Sequence, residues 1–248
     1  MMKFKNVTLF FCVLWFISAS VFASELYETQ WTTLLKKSVK QSNRKQVTST
    51  LVDYALIKDS QSFSSLLRGL NGFDESDFQT DKAKEAFWIN VYNIAVVKLV
   101  IEHYPTASIH SPDNDVLWKR PVIMIGGKML TLQDIQFDKL GAYKDYRLFF
   151  ALSNATLSGP DLLDEAYSEE KLDAQLDSQF KRFILNSTKG VAVYKDTREV
   201  KFSLLLKNIE DQCEDKGGLK GLVQPYLTTP LSDCHVGYMY FNWNLNNK

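Results

Sequence analysis

The chain has 248 residues, of which 45% are apolar, and its 29 basic residues balance its 29 acidic residues. This composition is ordinary for a globular protein. A neutral chain lacks the basic stripe that phosphate backbones require, so the composition argues against nucleic acid as a partner.

The N-terminus has the features of a secretory signal peptide. MMKFKN carries two lysines, the apolar run VTLFFCVLWFISASVF follows, and Val21 and Ala23 give the small-residue spacing that a signal peptidase accepts. A retained membrane anchor is the competing interpretation, which the shortness of the apolar run disfavours. We therefore expect cleavage near Ala23, a signal peptide over residues 1–23, and a secreted, periplasmic domain over residues 24–248 with no transmembrane span.

Hydrophobic periodicity and turn residues predict the elements that follow. In chain order they are an amphipathic helix over Glu25–Gln41, a short extended or half-helical segment over Val52–Ile57, a helix over Ser60–Leu70, a central helix over Ala86–Pro105, a hairpin of Pro121–Ile125 and Lys128–Leu130 turning at Gly126-Gly127, a short helix capped by Thr131 and Asp134, a strand over Tyr146–Leu152, a helix starting at Ser168, a hairpin of Val191–Tyr194 and Glu199–Phe202, helices over Ser203–Ile209 and Gly217–Leu227, and an aromatic, extended tail. The pattern predicts an α+β fold in which a central buried helix packs against a small mixed or antiparallel sheet and several amphipathic helices.

The central helix is apolar nearly all round, which is typical of a core helix or a membrane span. Two asparagines, Lys98 and Glu102 interrupt it, and roughly sixteen apolar residues are too few to cross about 30 Å of hydrocarbon. A core helix is therefore favoured. The buried amides of Asn90 and Asn93 must find partners: they either hold neighbouring backbone, which we favour, or form the wall of a site.

The predicted strand Tyr146–Leu152 leads into the loop SNATLSGP, Ser153–Pro160. Small polar residues directly after a buried strand often form functional loops. The candidate ligand-binding residues are this loop's polar side chains together with three asparagines from elsewhere: Ser153, Asn154, Ser158, Asn90, Asn93 and Asn242.

Once the signal peptide is removed, Cys213 and Cys234 remain in an oxidising compartment. We predict a disulfide between them, which would contribute on the order of 3 kcal/mol by closing a loop of about twenty residues. A free reactive thiol is the alternative, and it would need a basic group nearby to lower its pKa.

Several sequence words resemble the DUF547 family of secreted bacterial and plant proteins. They occur in one order over nearly all of the mature chain: VDYALIKD (Val52–Asp59), AFWINVYN, EHYP, Ser108-Ile109, GGKMLTLQDI, the loop after YRLFFAL, VKFSLLLKNI (Val200–Ile209) and YFNWNLN. The family name records that no activity is established. The resemblance therefore implies a shared fold, with an analogy to cysteine-peptidase or transglutaminase-like folds.

The chain departs from the family pattern at reactive positions. Typical members carry approximately CGAxSCP in the loop, and the two cysteine positions correspond here to Asn154 and Gly159. A histidine often found before the loop corresponds to Phe149, and the carboxylate of a terminal YDW corresponds to Asn242. Any thiol chemistry that the family performs at this loop is therefore missing from this chain.

Catalytic candidates are weak. A nucleophilic hydrolase needs a serine beside a base, and Ser153 or Ser158 with His103, His110 or His235 are the available groups, without a GxSxG elbow. Ser158 and His235 are the residues to test first. The scattered histidines match no metal-ligand spacing, and an acidic loop at Asp113 and Asp115 is better explained by solvation than by calcium.

The favoured function is therefore non-catalytic binding of a peptide, an envelope component or a small molecule, without a cofactor or metal. The first alternative is a hydrolase or transferase that uses Ser158 or activated water. The second is a structural protein of the envelope, for which a large exposed apolar patch would be the sign.

Overall fold

A computed structural model describes residues 26–110 and 115–248, and the predicted signal peptide and the loop residues Ser111, Pro112 and Asp113 lie outside them. Most of the regular structure is helical. The helices are α1 over 26–38, α2 Tyr54–Lys58, α3 Gln61–Leu70, α4 Asp81–His103, α5 Asp115–Trp118, α6 Leu148–Ala151, α7 Leu172–Ile184 and α8 Gly218–Val223, with a π-helix at Asp134–Lys139 and 3₁₀ helices at Glu75–Asp77, Gly141–Tyr143, Leu204–Lys216 and Gln224–Tyr226.

The strands of the described residues form three small sheets. β1 (Val39–Arg44) pairs antiparallel with β2 (Val47–Val52), and β3 (Ile123–Ile125) pairs antiparallel with β4 (Lys128–Leu130). The third sheet is mixed: β5 (Val191–Tyr194) runs antiparallel to β6 (Glu199–Phe202), and β6 runs parallel to β7 (His235–Tyr238). The predicted α+β class is confirmed, as are both predicted hairpins.

Helix α4 is the predicted central helix, and its position in the core is confirmed. The Oγ1 of Thr80 caps its first turn by accepting from the N–H of Ala83, and Tyr104 ends it in an extended conformation imposed by Pro105. Its side chains are buried from Glu85 through Val97 without a break. They lie in the larger of two main apolar clusters, which also takes in α1 to α3 and the β3–β4 hairpin.

A second apolar cluster lies between α7, the mixed sheet and the long 3₁₀ helix. Cys213 is buried in it and Cys234 packs at its margin, and the structure holds both as free thiols. Burial raises the pKa of the Cys213 thiol, which disfavours the thiolate that a reactive cysteine needs. The structure does not contain the disulfide, which stays a prediction for the oxidised protein.

The predicted strand over Tyr146–Leu152 is wrong. Residues Leu148–Ala151 form α6, a single helical turn whose first N–H donates to the carbonyl of Asp145. The carboxylate of Asp145 also accepts from the backbone N–H and the guanidinium of Arg147, which bends the chain just before the apolar run. A short apolar run has the same sequence pattern in a buried helix and in a buried strand, so periodicity alone did not separate them.

The β1–β2 hairpin is an element that the sequence did not indicate. Its turn residues, Lys45 and Gln46, adopt φ values of 49° and 64° although neither is the glycine or asparagine that normally marks such a turn. The predicted first helix consequently ends at residue 38 rather than at Gln41. Similarly, the helix predicted to start at Ser168 begins regular α-helical structure only at Leu172.

Within the described residues, none of the helices combines the length and the apolarity that crossing a membrane requires. This agrees with the interpretation of the central helix as part of a core.

Glu85 is a buried carboxylic acid on the first part of α4. Burial, and to a smaller extent the charge of Asp145, raises its pKa to about 7 from an ordinary 4.5. Between these two pH values the folded chain holds a proton that the unfolded chain releases, so this group lowers stability progressively as the pH rises through that window.

Replacing Glu85→Gln is expected to remove this pH dependence. From pH 4.5 to pH 8, the free energy of unfolding of the variant should rise by about 1–2 kcal/mol relative to that of the parent protein. The reason is that only the parent must bury a charge at the higher pH. Urea unfolding at the two pH values measures the difference. Glu102→Gln, on the exposed end of the same helix, is the control, and its free energy of unfolding should change between the two pH values as that of the parent does. If the free energy of unfolding of Glu85→Gln also changed with pH as that of the parent does, the expectation would be contradicted.

Candidate functional site

The loop Ser153–Pro160 begins against α4 and is held there by Asn93. The Oδ1 of Asn93 accepts from the backbone N–H of Ser153 at 2.9 Å, and its Nδ2 donates to the carbonyl of Ala151 at 3.0 Å. Asn93 is 2% exposed, so both ends of its amide are used inside the core. It therefore fixes the residues on either side of Leu152, where the chain leaves α6.

Asn90 makes the equivalent clamp one turn earlier on α4. Its Oδ1 accepts from the backbone N–H of Tyr167 at 2.9 Å, and its Nδ2 donates to the carbonyl of the same residue at 2.8 Å. The side chain is 1% exposed. Both asparagines therefore use their amide groups on neighbouring backbone inside the core, as the scaffold interpretation expects.

The two positions that correspond to cysteines in the family pattern lie in contact. A Cβ added at Gly159 would lie 1.8 Å from Oδ1 of Asn154, so the side chain at 154 occupies the space that a side chain at 159 would need. The same Oδ1 accepts from the N–H and the hydroxyl of Thr156, which locks the turn. Between them Ala155 adopts φ 59°, a left-handed conformation in which the family pattern has glycine.

The C-terminal tail lies along the other side of this loop. The N–H groups of Leu157 and Ser158 donate to the carbonyls of Asn244 and Asn242, and the N–H of Asn246 donates back to the carbonyl of Ala155. The tail continues against β2, where Val52 donates to the carbonyl of Asn246. The loop therefore reaches its final form only when the last residues of the chain are in place.

Ser158 is used structurally. Its hydroxyl is almost fully buried and accepts from the backbone N–H of Asn242 at 3.0 Å. Among the described residues it has no hydrogen bond to a histidine: His103 lies against the carbonyl of Leu99, and His235 is exposed at the start of β7. The geometry that would activate a serine is thus not present at this residue.

His110 is the histidine that the structure places at the loop. Its Nε2 faces the backbone carbonyl of Asn154 at 3.2 Å, which makes Nε2 the protonated nitrogen. Its ring packs against two indoles, with centroids 4.7 Å from Trp118 and 4.9 Å from Trp243. We call these three side chains the aromatic face.

Burial lowers the pKa of His110, opposed only partly by the carbonyl of Asn154, so the imidazole is neutral at neutral pH. The aromatic face is positioned by the loop before it and by the tail. Ser108 Oγ accepts from the N–H of His110 and donates to the carbonyl of Trp243. The sequence offered His110 only as one of three possible bases and did not place it at this loop, because Asn154 and Trp243 lie far along the chain.

A buried ion pair that the sequence did not indicate supports the far end of the loop. Lys189 Nζ donates to Asp161 Oδ1 at 2.7 Å, to Ser49 Oγ and to the carbonyl of Gly159, and the lysine side chain is completely buried. Burial alone would raise the pKa of Asp161, but the charge of Lys189 and the hydrogen bond from the N–H of Thr50 outweigh it and lower that pKa. All of these groups are paired, which is how a buried ion pair escapes its desolvation penalty.

Of the six candidate ligand-binding residues, the structure brings Asn154, Ser158 and Asn242 together and assigns Asn90, Asn93 and the backbone of Ser153 to the scaffold. Phe149 packs against the second apolar cluster rather than at the loop. Within the described residues, no group of three histidine, cysteine, aspartate or glutamate side chains is placed to hold a metal ion.

Comparison with known proteins gives one family. Residues 76–184 match the family described as "Protein of unknown function, DUF547", a segment that contains α4, the π-helix, the loop and all of α7. The tail that completes the site lies outside the matched segment. No curated protein and no solved structure matches the chain significantly.

Asn93→Ala is expected to destabilise the protein by about 2–4 kcal/mol. The substitution leaves the N–H of Ser153 and the carbonyl of Ala151 buried without partners and opens a small cavity. Urea unfolding measures the loss. Asn43→Ala on the exposed β1 strand is the matched control, for which a change within about 0.5 kcal/mol is expected; equal effects of the two variants would contradict the assigned role of Asn93.

Gly159→Ala is expected to destabilise the protein by about 1–3 kcal/mol, because its methyl group would overlap Oδ1 of Asn154. In an Asn154→Ala background the same substitution should cost at least about 1 kcal/mol less, since the overlapping amide is gone. The double-mutant cycle, measured by urea unfolding, tests this. Strictly additive effects would show that the two positions do not share space.

Proposed function

We propose that this chain, whose residues 76–184 match the DUF547 family, is a secreted, periplasmic binding protein without catalytic activity. Its ligand, a peptide, an envelope component or a small molecule, lies on the aromatic face beside the loop Ser153–Pro160. The observation that carries the proposal is that the indole of Trp243 is exposed near a loop whose Ser158 hydroxyl already holds the tail. Trp243 is 47% exposed, whereas Ser158 is buried beneath the tail.

The loop offers recognition groups rather than a nucleophile. The family pattern's two cysteine positions are an asparagine and a glycine, and the asparagine Oδ1 is held by Thr156. The backbone carbonyl of Asn154 accepts a hydrogen bond from His110. Groups that are fixed in this way suit binding, because little conformational entropy is lost when a ligand arrives.

Export is supported by the N-terminal sequence alone. The lysines, apolar run and small residues before Ser24 match the three parts of a secretory signal peptide. An extracytoplasmic location also agrees with a chain whose predicted mature part holds only two cysteines, Cys213 and Cys234, which could pair in an oxidising compartment.

The alternative is a hydrolase that activates water. Its support is His110, since burial keeps the imidazole neutral and a neutral imidazole is the form that acts as a general base. Its weakness is that His110 Nε2 faces a backbone carbonyl, and a carbonyl is not the carboxylate that stabilises an imidazolium in a catalytic triad.

The test compares binding and turnover in the same preparation of the exported protein. Ester, amide and glycoside substrates are expected to show no turnover above background, and Ser158→Ala is expected to leave that result unchanged. In parallel, acrylamide quenching of tryptophan fluorescence is measured against peptides, envelope glycans and small molecules, and at least one is expected to protect Trp243. Turnover that is abolished in Ser158→Ala, with the fold retained by circular dichroism, would contradict the proposal.

A further inference from the structure

We propose that the ligand of the aromatic face is a neutral carbohydrate whose sugar ring stacks on Trp243. This inference rests on the proposed binding function and names its ligand class. It follows from four properties of the site: an exposed and supported indole, two oriented amide donors, the lack of charged groups, and backbone that is largely paired.

Trp243 is 47% exposed, and two neighbouring rings support its indole. Its ring lies 4.3 Å from Phe241 and 4.9 Å from His110, centroid to centroid, and its backbone carbonyl accepts from Ser108 Oγ. An exposed aromatic ring that is held in place loses little freedom on binding. The C–H face of a sugar ring is flat and apolar, so stacking removes apolar surface of both partners from water.

Two asparagines next to the aromatic face keep free amide donors: Asn154, whose backbone carbonyl faces His110, and Asn242, which directly precedes Trp243. Asn154 uses its Oδ1 to accept from Thr156, and Asn242 uses its Oδ1 to accept from Asn244. Among the described residues, neither Nδ2 has a hydrogen-bond partner, and both side chains are only partly buried. Each amide is therefore oriented through its oxygen while its two N–H groups remain available to the hydroxyl oxygens of a sugar.

The site is uncharged. The aromatic face and the two amides contain no ionised group at neutral pH, since burial keeps His110 neutral. Lys45, which reaches the tail from the β1–β2 turn, already donates to Oδ1 of Asn244 at 2.7 Å. An anionic or cationic ligand would lose hydration here without gaining an opposite charge, which is unfavourable.

The tail also disfavours an extended peptide as ligand. Peptides that add a strand bind through unpaired backbone groups at an edge. Here the N–H groups of residues 242, 244, 245, 246 and 248 all donate within the protein, and the carbonyls of residues 242, 243, 244 and 246 all accept. Most backbone groups of residues 242–248 are therefore already used within the protein, which favours recognition through side chains and a ligand that lacks a peptide backbone.

In the experiment, isothermal titration calorimetry measures the binding of two neutral oligosaccharides, cellohexaose and chitohexaose, to the exported protein. Trp243→Ala is expected to weaken binding by at least about tenfold, and Trp243→Phe is expected to retain most of it because a flat ring remains. Tyr194→Ala is the matched control: Tyr194 is as exposed as Trp243, at 47%, but lies in β5, and its removal should leave the affinity unchanged.

A decaproline peptide and oligogalacturonate provide the competing ligand classes. Saturable binding of decaproline or oligogalacturonate that Trp243→Ala abolishes, with no binding of either neutral oligosaccharide, overturns the carbohydrate inference and leaves the proposed binding function standing. Oligosaccharide binding that is equal in Trp243→Ala and in the parent also overturns it. If no ligand binds, either here or in the fluorescence screen, the carbohydrate inference and the proposed binding function are both overturned.

Discussion

Two side-chain amides on one buried helix hold the irregular part of this protein in place. Any chain segment that crosses a core without regular structure must still satisfy its backbone N–H and carbonyl groups. Asn90 does this for Tyr167, and Asn93 does it for Ala151 and Ser153, both from a helix whose other neighbouring side chains are apolar. An apolar residue at either position would leave two buried backbone groups unpaired, at about 1–3 kcal/mol each.

The clamp at Asn93 determines where the loop begins, and two later contacts determine where it goes. The tail pairs with the loop over Ala155 to Ser158, and the Asp161–Lys189 pair holds its far end against β2. The aromatic face depends on the placement of both loop and tail, since His110 bonds the loop carbonyl of Asn154 and packs against Trp243 near the C-terminus. The site is therefore a product of the complete fold and not of one local motif.

Local patterns predicted much of the architecture. The central helix and both predicted hairpins follow from capping residues, glycine turns and apolar spacing, all of which act within a few residues. The predicted strand before the loop was wrong, because a short apolar run does not distinguish α6 from a strand, and the β1–β2 hairpin was missed because Lys45 and Gln46 adopt a turn conformation without glycine. The Asp161–Lys189 pair and the role of His110 depend on partners 28 to 133 positions away, which no local pattern records. In the candidate loop, the hydroxyl of Ser158 holds the tail, and the histidine that contacts the loop is His110 and not His235.

The central claim is that α4 holds the loop through hydrogen bonds from backbone to buried amides. Hydrogen–deuterium exchange of individual amides, measured by NMR, tests it directly at Ser153 and Tyr167, which lie outside helices and strands. Both N–H groups are predicted to exchange as slowly as the amides in the middle of α4, because each donates to a buried asparagine oxygen and opens only with the core. Exchange at the rate of exposed loop amides, such as that of Lys144, would contradict the claim.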